Sequence, residues 1–437
     1  MSTTQRDKDS QQQEAQQQAN PTPSQTSTEP PTSGPPTLES LPPELRLQIL
    51  THLVTPRSPL PSPLILPSLR ALVLASPVFY AQYRAYRWSL LRDAVVATLG
   101  AAAIPDACAV RATATLYETG THPREPAVLR DVLAQYAAER RMAAEVVRRG
   151  MTPTVLLAPA MEDELVVMAG FYFSVVSPLV GEVARLAWRR LEPGREGCEV
   201  GGLSGTETER ITRALYRFQL YCNLWGAGER SGPPRAVAGV AVEERLEWFF
   251  CLLRPWEVEE VDCVYTVLDA KYEEWFEAVK EGVFKGKRKL DFGNENKRED
   301  YREGTISRGL RVFYRMLRTR SHEGLVRRVQ KYATEDPWFD FESCLDWTFQ
   351  EQRRRLQPME GDRLERDKTP LPFDGDTLDG PPLAWVTLWG GRYVNTYGDT
   401  VPESLKQWGH VFWDAERLRG SNGVKCVERE RERIRCR

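Results

Sequence analysis

Between Pro255 and Val279 the side chains of Val261, Val264, Tyr265, Leu268, Tyr272, Trp275, Phe276 and Val279 recur at spacings of three and four. That pattern gathers on one face of an α-helix and would be scattered over both faces of a strand, whose side chains alternate. A helix with so broad an apolar stripe must be covered, so the rest of the chain has to supply partners of comparable length. Pro255 suits the start, where the N–H it lacks would be unpaired anyway, and Glu257, Glu259 and Glu260 follow where the positive end of the helix dipole favours acids. A second helix is expected from Thr206, whose hydroxyl with Glu209 fits a capping box, through Ile211, Leu215, Phe218, Cys222 and Trp225. Both would face a common core, and the fold class expected is mainly α.

At 437 residues the chain is long enough for two or three domains of roughly 150 residues each. Residues 1–37 are Gln, Ser, Thr and Pro with hardly an apolar side chain, which cannot offset the entropy of ordering, so a disordered tail is expected. The same stretch lacks the positive start and apolar centre of a secretory signal. Residues 38–92 are a short, apolar, Pro-punctuated module, and 93–350 read as an irregular helical body. Residues 351–382 read as a charged linker, 383–420 as an aromatic-rich segment docked on the body, and 421–437 as a charged tail or solvated helix. In that tail, i,i+3 pairs such as Glu428 with Arg431 would contribute about 0.2–0.5 kcal/mol each. A further charged loop is expected from Lys285 to Gly304. The apolar stretch around Leu165 is interrupted by Ser177 and Pro178 and reads as buried helices rather than a membrane span. With 59 basic against 61 acidic side chains, total charge gives no ground for a nucleic-acid or membrane-surface partner. Eight cysteines without a CxxC pair point to a reducing compartment, cytoplasmic or nuclear.

In LPPELRLQILTHLV, Pro42 and Pro43 mark a helix start. Leu45, Ile49 and Leu53 form one apolar stripe and Leu47, Leu50 and Val54 another. Together the stripes cover an arc of about 200°, against the roughly 100° that a helix on a single core requires. Two further short helices follow in SLRALVLASP and VFYAQYRAYRWSLLRDAV. Apolar surface in excess of what so small a module can bury points to docking. LPPELRLQILTHL resembles the F-box signature through Leu41, Pro42, Glu44, Leu45, Ile49 and Leu53, and Leu69, Leu72, Ala75, Ser76 and Phe79 look like its second half.

The resemblance implies a small three-helix F-box module followed by the helical body, and a chain that is not itself an enzyme. Such a module binds a Skp-type adaptor, the adaptor joins a cullin scaffold, and the body recruits a client protein for ubiquitylation. It implies Leu41, Pro42, Glu44, Leu45, Ile49, Leu53, Leu69, Leu72 and Phe79 as adaptor-binding residues. The chain departs from the family in its longer Pro-rich spacer, in Pro77 where a basic or polar residue is common, and in Phe79 and Tyr80 where Trp is common. Later segments, ALYRFQLYCNLW, PWEVEEVDCVYTVLD and WGHVFWDAERL, are similar to large F-box proteins of filamentous fungi, a resemblance that brings no substrate. The rival reading is a non-catalytic helical scaffold or regulatory protein whose module packs only internally.

Catalytic chemistry finds little support in the sequence. None of His52, His122, His322 and His410 lies in an HExxH motif or a Cys/His cluster at zinc-ligand spacing, so no metal and no cofactor is expected. GGLSGT at Gly201 and GAGERSG at Gly226 miss the spacings of a nucleophile elbow and a dinucleotide loop and read as turns. No cysteine has a neighbouring histidine to activate it. From Lys285 to Lys331, 15 basic side chains stand against 6 acidic ones. There Arg308, Arg311, Arg315 and Arg318 would line one helix face opposite Leu310, Phe313, Tyr314 and Leu317. That face is either the wet side of an amphipathic helix or a docking site for an acidic or phosphorylated substrate, since arginine forks suit carboxylate and phosphate. Nucleic acid is not expected, because aromatic side chains are not interleaved as a stacking platform. Trp385, Trp389, Trp408 and Trp413 would either line a peptide groove or fill the core under a loop-rich cap.

Overall fold

The structure is a computed structural model that describes residues 37–55, 61–116, 125–158, 160, 162–193, 202–229, 240–283, 290–336, 339–346 and 370–435. Among these the chain is mainly α, with no strand. The tail expected over residues 1–37 and the linker expected over 351–382 lie, for residues 1–36 and 351–369, outside the described residues.

Helices α1 (Pro43–Val54), α2 (Ile65–Ala75) and α3 (Pro77–Ala85) form the N-terminal module and pack on one another. Helix α4 (Arg87–Leu116) follows, and all three pack against it. The boundary expected after residue 92 therefore falls inside a helix that serves both module and body. At Gly100 the backbone of α4 leaves the helical region (φ 69°, ψ 168°), and its missing Cβ lets Pro61 of the spacer approach to contact distance. Nearby, Ser62 N–H donates to Ala97 O (2.9 Å) and Leu66 N–H to Thr98 Oγ1 (3.2 Å). These contacts strap the end of the Pro-rich spacer to α4.

The body continues with α5 (Pro126–Arg148), α6 (Glu162–Phe171), α7 (Ser177–Leu191), α8 (Gly205–Trp225), α9 (Val242–Trp248) and α10 (Pro255–Val283). Then come α11 (Glu295–Ile306), α12 (Leu310–Leu317), α13 (His322–Tyr332) and α14 (Phe341–Asp346). All eight apolar residues of the α10 stripe are buried. Helix α8 lies at the centre, against α4, α7 and α10. Its cap sits two residues earlier than expected: Ser204 Oγ accepts from Glu207 N–H (3.1 Å), and Glu207 Oε2 accepts from Ser204 N–H (3.0 Å). Both Ser204/Glu207 and Thr206/Glu209 have capping-box spacing; Thr206 is taken instead by Asp414, to which its hydroxyl donates (2.6 Å).

Two further expectations change. Within the loop expected from Lys285 to Gly304, residues from Glu295 form α11, capped by Asn294, whose Oδ1 accepts from Lys297 N–H (3.3 Å). Ser177 and Pro178 do not interrupt the apolar stretch near Leu165, because a π-helical turn at Tyr172–Val176 joins α6 to α7. The resulting rod, Glu162–Leu191, and the stretch Arg87–Ala114 are each long and apolar enough to cross a membrane by length and composition, and most of each apolar window is buried inside this fold.

Trp385, Trp389, Trp408, Phe412 and Trp413 are buried, so the aromatic segment fills a core rather than lining a groove. Trp385 meets Trp256 edge-on (5.5 Å between ring centres) and Trp413 meets Trp188 (5.2 Å). The last helix, Gly423–Arg435, packs on the helix Leu383–Trp389 and buries Val427 and Glu430. Glu430 pairs there with Arg433 (2.8 Å) and with Arg429 (3.7 Å).

Candidate functional site

Helix α1 begins with Pro42 as its cap and Pro43 in its first turn, so no backbone donor is wasted there. The fold turns one of its two apolar stripes inward: Leu50 and Val54 are fully buried against α2 and α3, and Leu47 is half-buried. Of the other stripe Leu45 is 43% exposed, while Ile49 and Leu53 are half-buried and pack against the core. Pro42, Pro43 and Glu44 are exposed beside it. The front of α1 is held by a chain of polar contacts. Arg46 donates to Glu39 O (2.9 Å), Ser76 donates to the Glu39 carboxylate (2.5 Å), and Ser76 Oγ accepts from Phe79 N–H (3.3 Å) as the cap of α3.

Between α1 and α3 lies an open groove of about 590 Å³ lined by Pro43, Arg46, Pro77, Val78, Ala81 and Tyr86, among others. Its floor is apolar and shallow, with Arg46 and Gln82 as its polar groups. Elsewhere on the module Leu64 and Leu74 are each 69% exposed, and Tyr80 on α3 is exposed. Of the expected adaptor-binding residues, the structure puts Pro42, Glu44 and Leu45 outside and leaves Leu41, Ile49, Leu53 and Leu72 half-buried. Leu69 and Phe79 are a correction: at 3% and 1% exposed they fill the module's own core and present no side chain to a partner. The sequence reading did not single out Val78, Ala81 and Ala85, whose spacing of three and four along α3 marks the face that lines the groove.

The centre of the body is ionic. Arg217 donates from Nε to Asp106 Oδ2 (3.1 Å) and from Nη2 to Glu257 Oε1 (2.9 Å); Arg140 Nη2 donates to Glu257 Oε2 (2.9 Å), and Tyr136 OH to Asp106 Oδ1 (2.6 Å). Arg213 grips Glu260 through Nε (2.7 Å) and Nη2 (2.5 Å). Burial pushes the Glu257 carboxyl up, but Arg217, Arg140 and Arg213 together hold it well below the usual range. Glu209 is different: burial pushes its carboxyl up to about 8, and its Oε1 has no hydrogen-bond partner among the described residues. The paired charges knit α4, α5, α8 and α10 together.

One cysteine does meet a histidine. Cys263 Sγ lies 3.7 Å from His410 Nδ1, His410 Nε2 lies 2.9 Å from Glu259 Oε2, and Trp389 Nε1 donates to Glu259 Oε1 (3.1 Å). The order is that of nucleophile, base and orienting acid. Yet Cys263 and His410 are fully buried, and burial pushes the thiol well above its ordinary value, so it stays protonated and enclosed. Among the described residues no group of three or more His, Cys, Asp or Glu is placed to hold a metal ion. His52 is exposed.

The arginine face is also corrected. Arg308 is 1% exposed and braces the body: Nε donates to Tyr332 O (2.6 Å) and Nη1 to Gly228 O (3.0 Å). Gly309, at φ 83°, turns the chain before α12 begins, so Arg308 is not on that helix. Arg311 and Arg315 pair with Glu229 (3.0 and 3.6 Å), while Arg318 lies over the Tyr314 ring and faces out.

Comparison with known proteins gives no match to any family model, to any curated protein or to any solved structure.

Proposed function

We propose that this chain is an F-box substrate receptor, which links a client protein to a Skp–cullin ubiquitin ligase without doing chemistry itself. The observation that carries the reading is α1, whose Leu50 and Val54 build the module's core while Leu45, the helix start at Pro42, Pro43 and Glu44, and the neighbouring groove against α3 stay open. Short helices presenting Pro42, Leu45, Pro77 and Val78 suit a groove-binding interface, in which a standard area of about 1,600 Å² is buried. The chain's part in ubiquitin transfer is then proximity: it holds a client beside an enzyme that other subunits supply.

The test is co-purification of the full chain with a Skp-type adaptor. Pro42→Asp with Leu45→Asp should abolish the complex while circular dichroism stays unchanged; an unaltered complex overturns the proposal. The rival reading, a scaffold in which the module serves only internal packing, is favoured by the strap of Pro61 and Ser62 onto α4. Because α4 belongs to both parts, truncation cannot separate the two readings, and substitutions on the outer rim can.

A further inference from the structure

Most surface arginines on this body have a carboxylate opposite them. Arg87 meets Glu162, Arg111 meets Glu164, Arg298 meets Glu277 and Arg302 meets Asp269. The elbow formed by α12 and α13 breaks that pattern. Helix α12 ends at Arg318, Arg320 lies in the connection, and α13 carries Arg327, Arg328 and Lys331. Val329 and Tyr332 form the buried side of α13 against α10, so Arg327 and Lys331, one turn apart, point away from the body. Arg318, Arg320, Arg328 and Lys331 have no carboxylate partner among the described residues, and Arg327 has only the exposed Glu323 (3.6 Å). At about 1.5 Å per residue, α13 sets Arg327 and Lys331 roughly 6 Å apart along its axis. Arg318 and Lys331 lie over the rings of Tyr314 and Tyr332 (5.7 and 5.0 Å), which restricts the two cations without neutralising them.

We propose that the α12–α13 elbow is a docking surface for an acidic polypeptide segment, rich in aspartate and glutamate or phosphorylated, and that such a segment is the client's point of attachment. The client role rests on the receptor reading above; the acidic specificity rests on the elbow alone. Charge complementarity selects the partner: unmatched guanidinium forks donate to carboxylates, two oxygens at a time. The surface replaces the arginine face read from sequence, since Arg308 is buried and Arg311 and Arg315 are already engaged by Glu229.

Fluorescence anisotropy on the full chain tests it, with three labelled probes: a twelve-residue Asp/Glu peptide, the same peptide with Asn/Gln, and a twelve-nucleotide single-stranded RNA. The acidic peptide should bind and the Asn/Gln peptide should not. Arg318→Glu with Arg328→Glu should weaken binding at least tenfold, whereas Arg189→Glu, an exposed change on α7, should leave it within twofold. Tighter binding of the RNA than of the acidic peptide, or no effect of the double reversal, overturns the proposal. Adaptor co-purification from the same preparations separates the two claims. If the adaptor fails to bind and the acidic peptide still does, the client role falls and the acidic surface stands.

Discussion

Replacing Glu209 with glutamine should change how the protein's stability depends on pH. Glu209 sits near the N-terminal end of α8, 2% exposed, with one carboxylate oxygen unpartnered among the described residues and a carboxyl that burial raises from the ordinary 4.5 to about 8. In the unfolded chain it ionises near its ordinary value, so between these limits the folded state holds a proton that the unfolded state has lost. Stability from this group is therefore fully present below about pH 4.5 and is lost as pH rises through about 8, at about 1.4 kcal/mol per pH step. From pH 5.5 to 7.5 the loss amounts to about 3 kcal/mol. Glutamine has the same shape and no proton to lose. Urea denaturation of both proteins at several pH values reads the difference directly. The free energy of Glu209→Gln minus that of the parent should climb by about 3 kcal/mol across that window. Parallel curves would show that the Glu209 carboxyl is already ionised in the fold and would refute the reasoning.

Other substitutions probe other parts of the molecule. Arg217→Met takes from Asp106 and Glu257 an arginine they share, leaving Arg140 and Tyr136 on them, and should cost about 3–5 kcal/mol by urea unfolding; a loss below about 1 kcal/mol would contradict a load carried through that side chain. Leu50→Ala, on the inner stripe of α1, should cost about 2–5 kcal/mol, whereas Leu45→Asp on the outer stripe should stay within about 1 kcal/mol. Equal losses would mean that both stripes belong to the internal core. Burial raises the thiols of Cys222 and Cys263 well above their ordinary value, so iodoacetamide at pH 8 should leave both unmodified by mass spectrometry until the chain is unfolded. Native labelling of Cys263 would contradict an enclosed Cys263–His410 pair.

Periodicity exposed the long helices because each has one dominant apolar face; α10 is the clearest case. It gave α8 its apolar face and assigned nothing to Arg210, Arg213 and Arg217, which also recur at helical spacing. They are buried because their partners, Asp106 on α4, Glu257 and Glu260 on α10 and Asp414 in the C-terminal segment, are far away in sequence and meet them only in the fold. The acids after Pro255 were legible as helix-start residues, and their true work as counter-ions was not. Cys263 and His410 stayed separate for the same reason. At α1 the pattern revealed two apolar stripes and gave no rule for which one turns inward, since Leu45–Ile49–Leu53 and Leu47–Leu50–Val54 have the same period. The choice is made by α2, α3 and α4, which cover Leu50 and Val54. Arg308 was misassigned because Gly309 breaks the helix just after it, a backbone event that spacing alone does not encode.

Hydrogen–deuterium exchange of the full chain, with and without saturating Skp-type adaptor, asks most directly whether α1 is shared with a second subunit. The account predicts slower exchange in Pro43–Val54 and in Pro77–Ala85, with α10 unchanged. Exchange in α1 and α3 that is the same with and without the adaptor would contradict it.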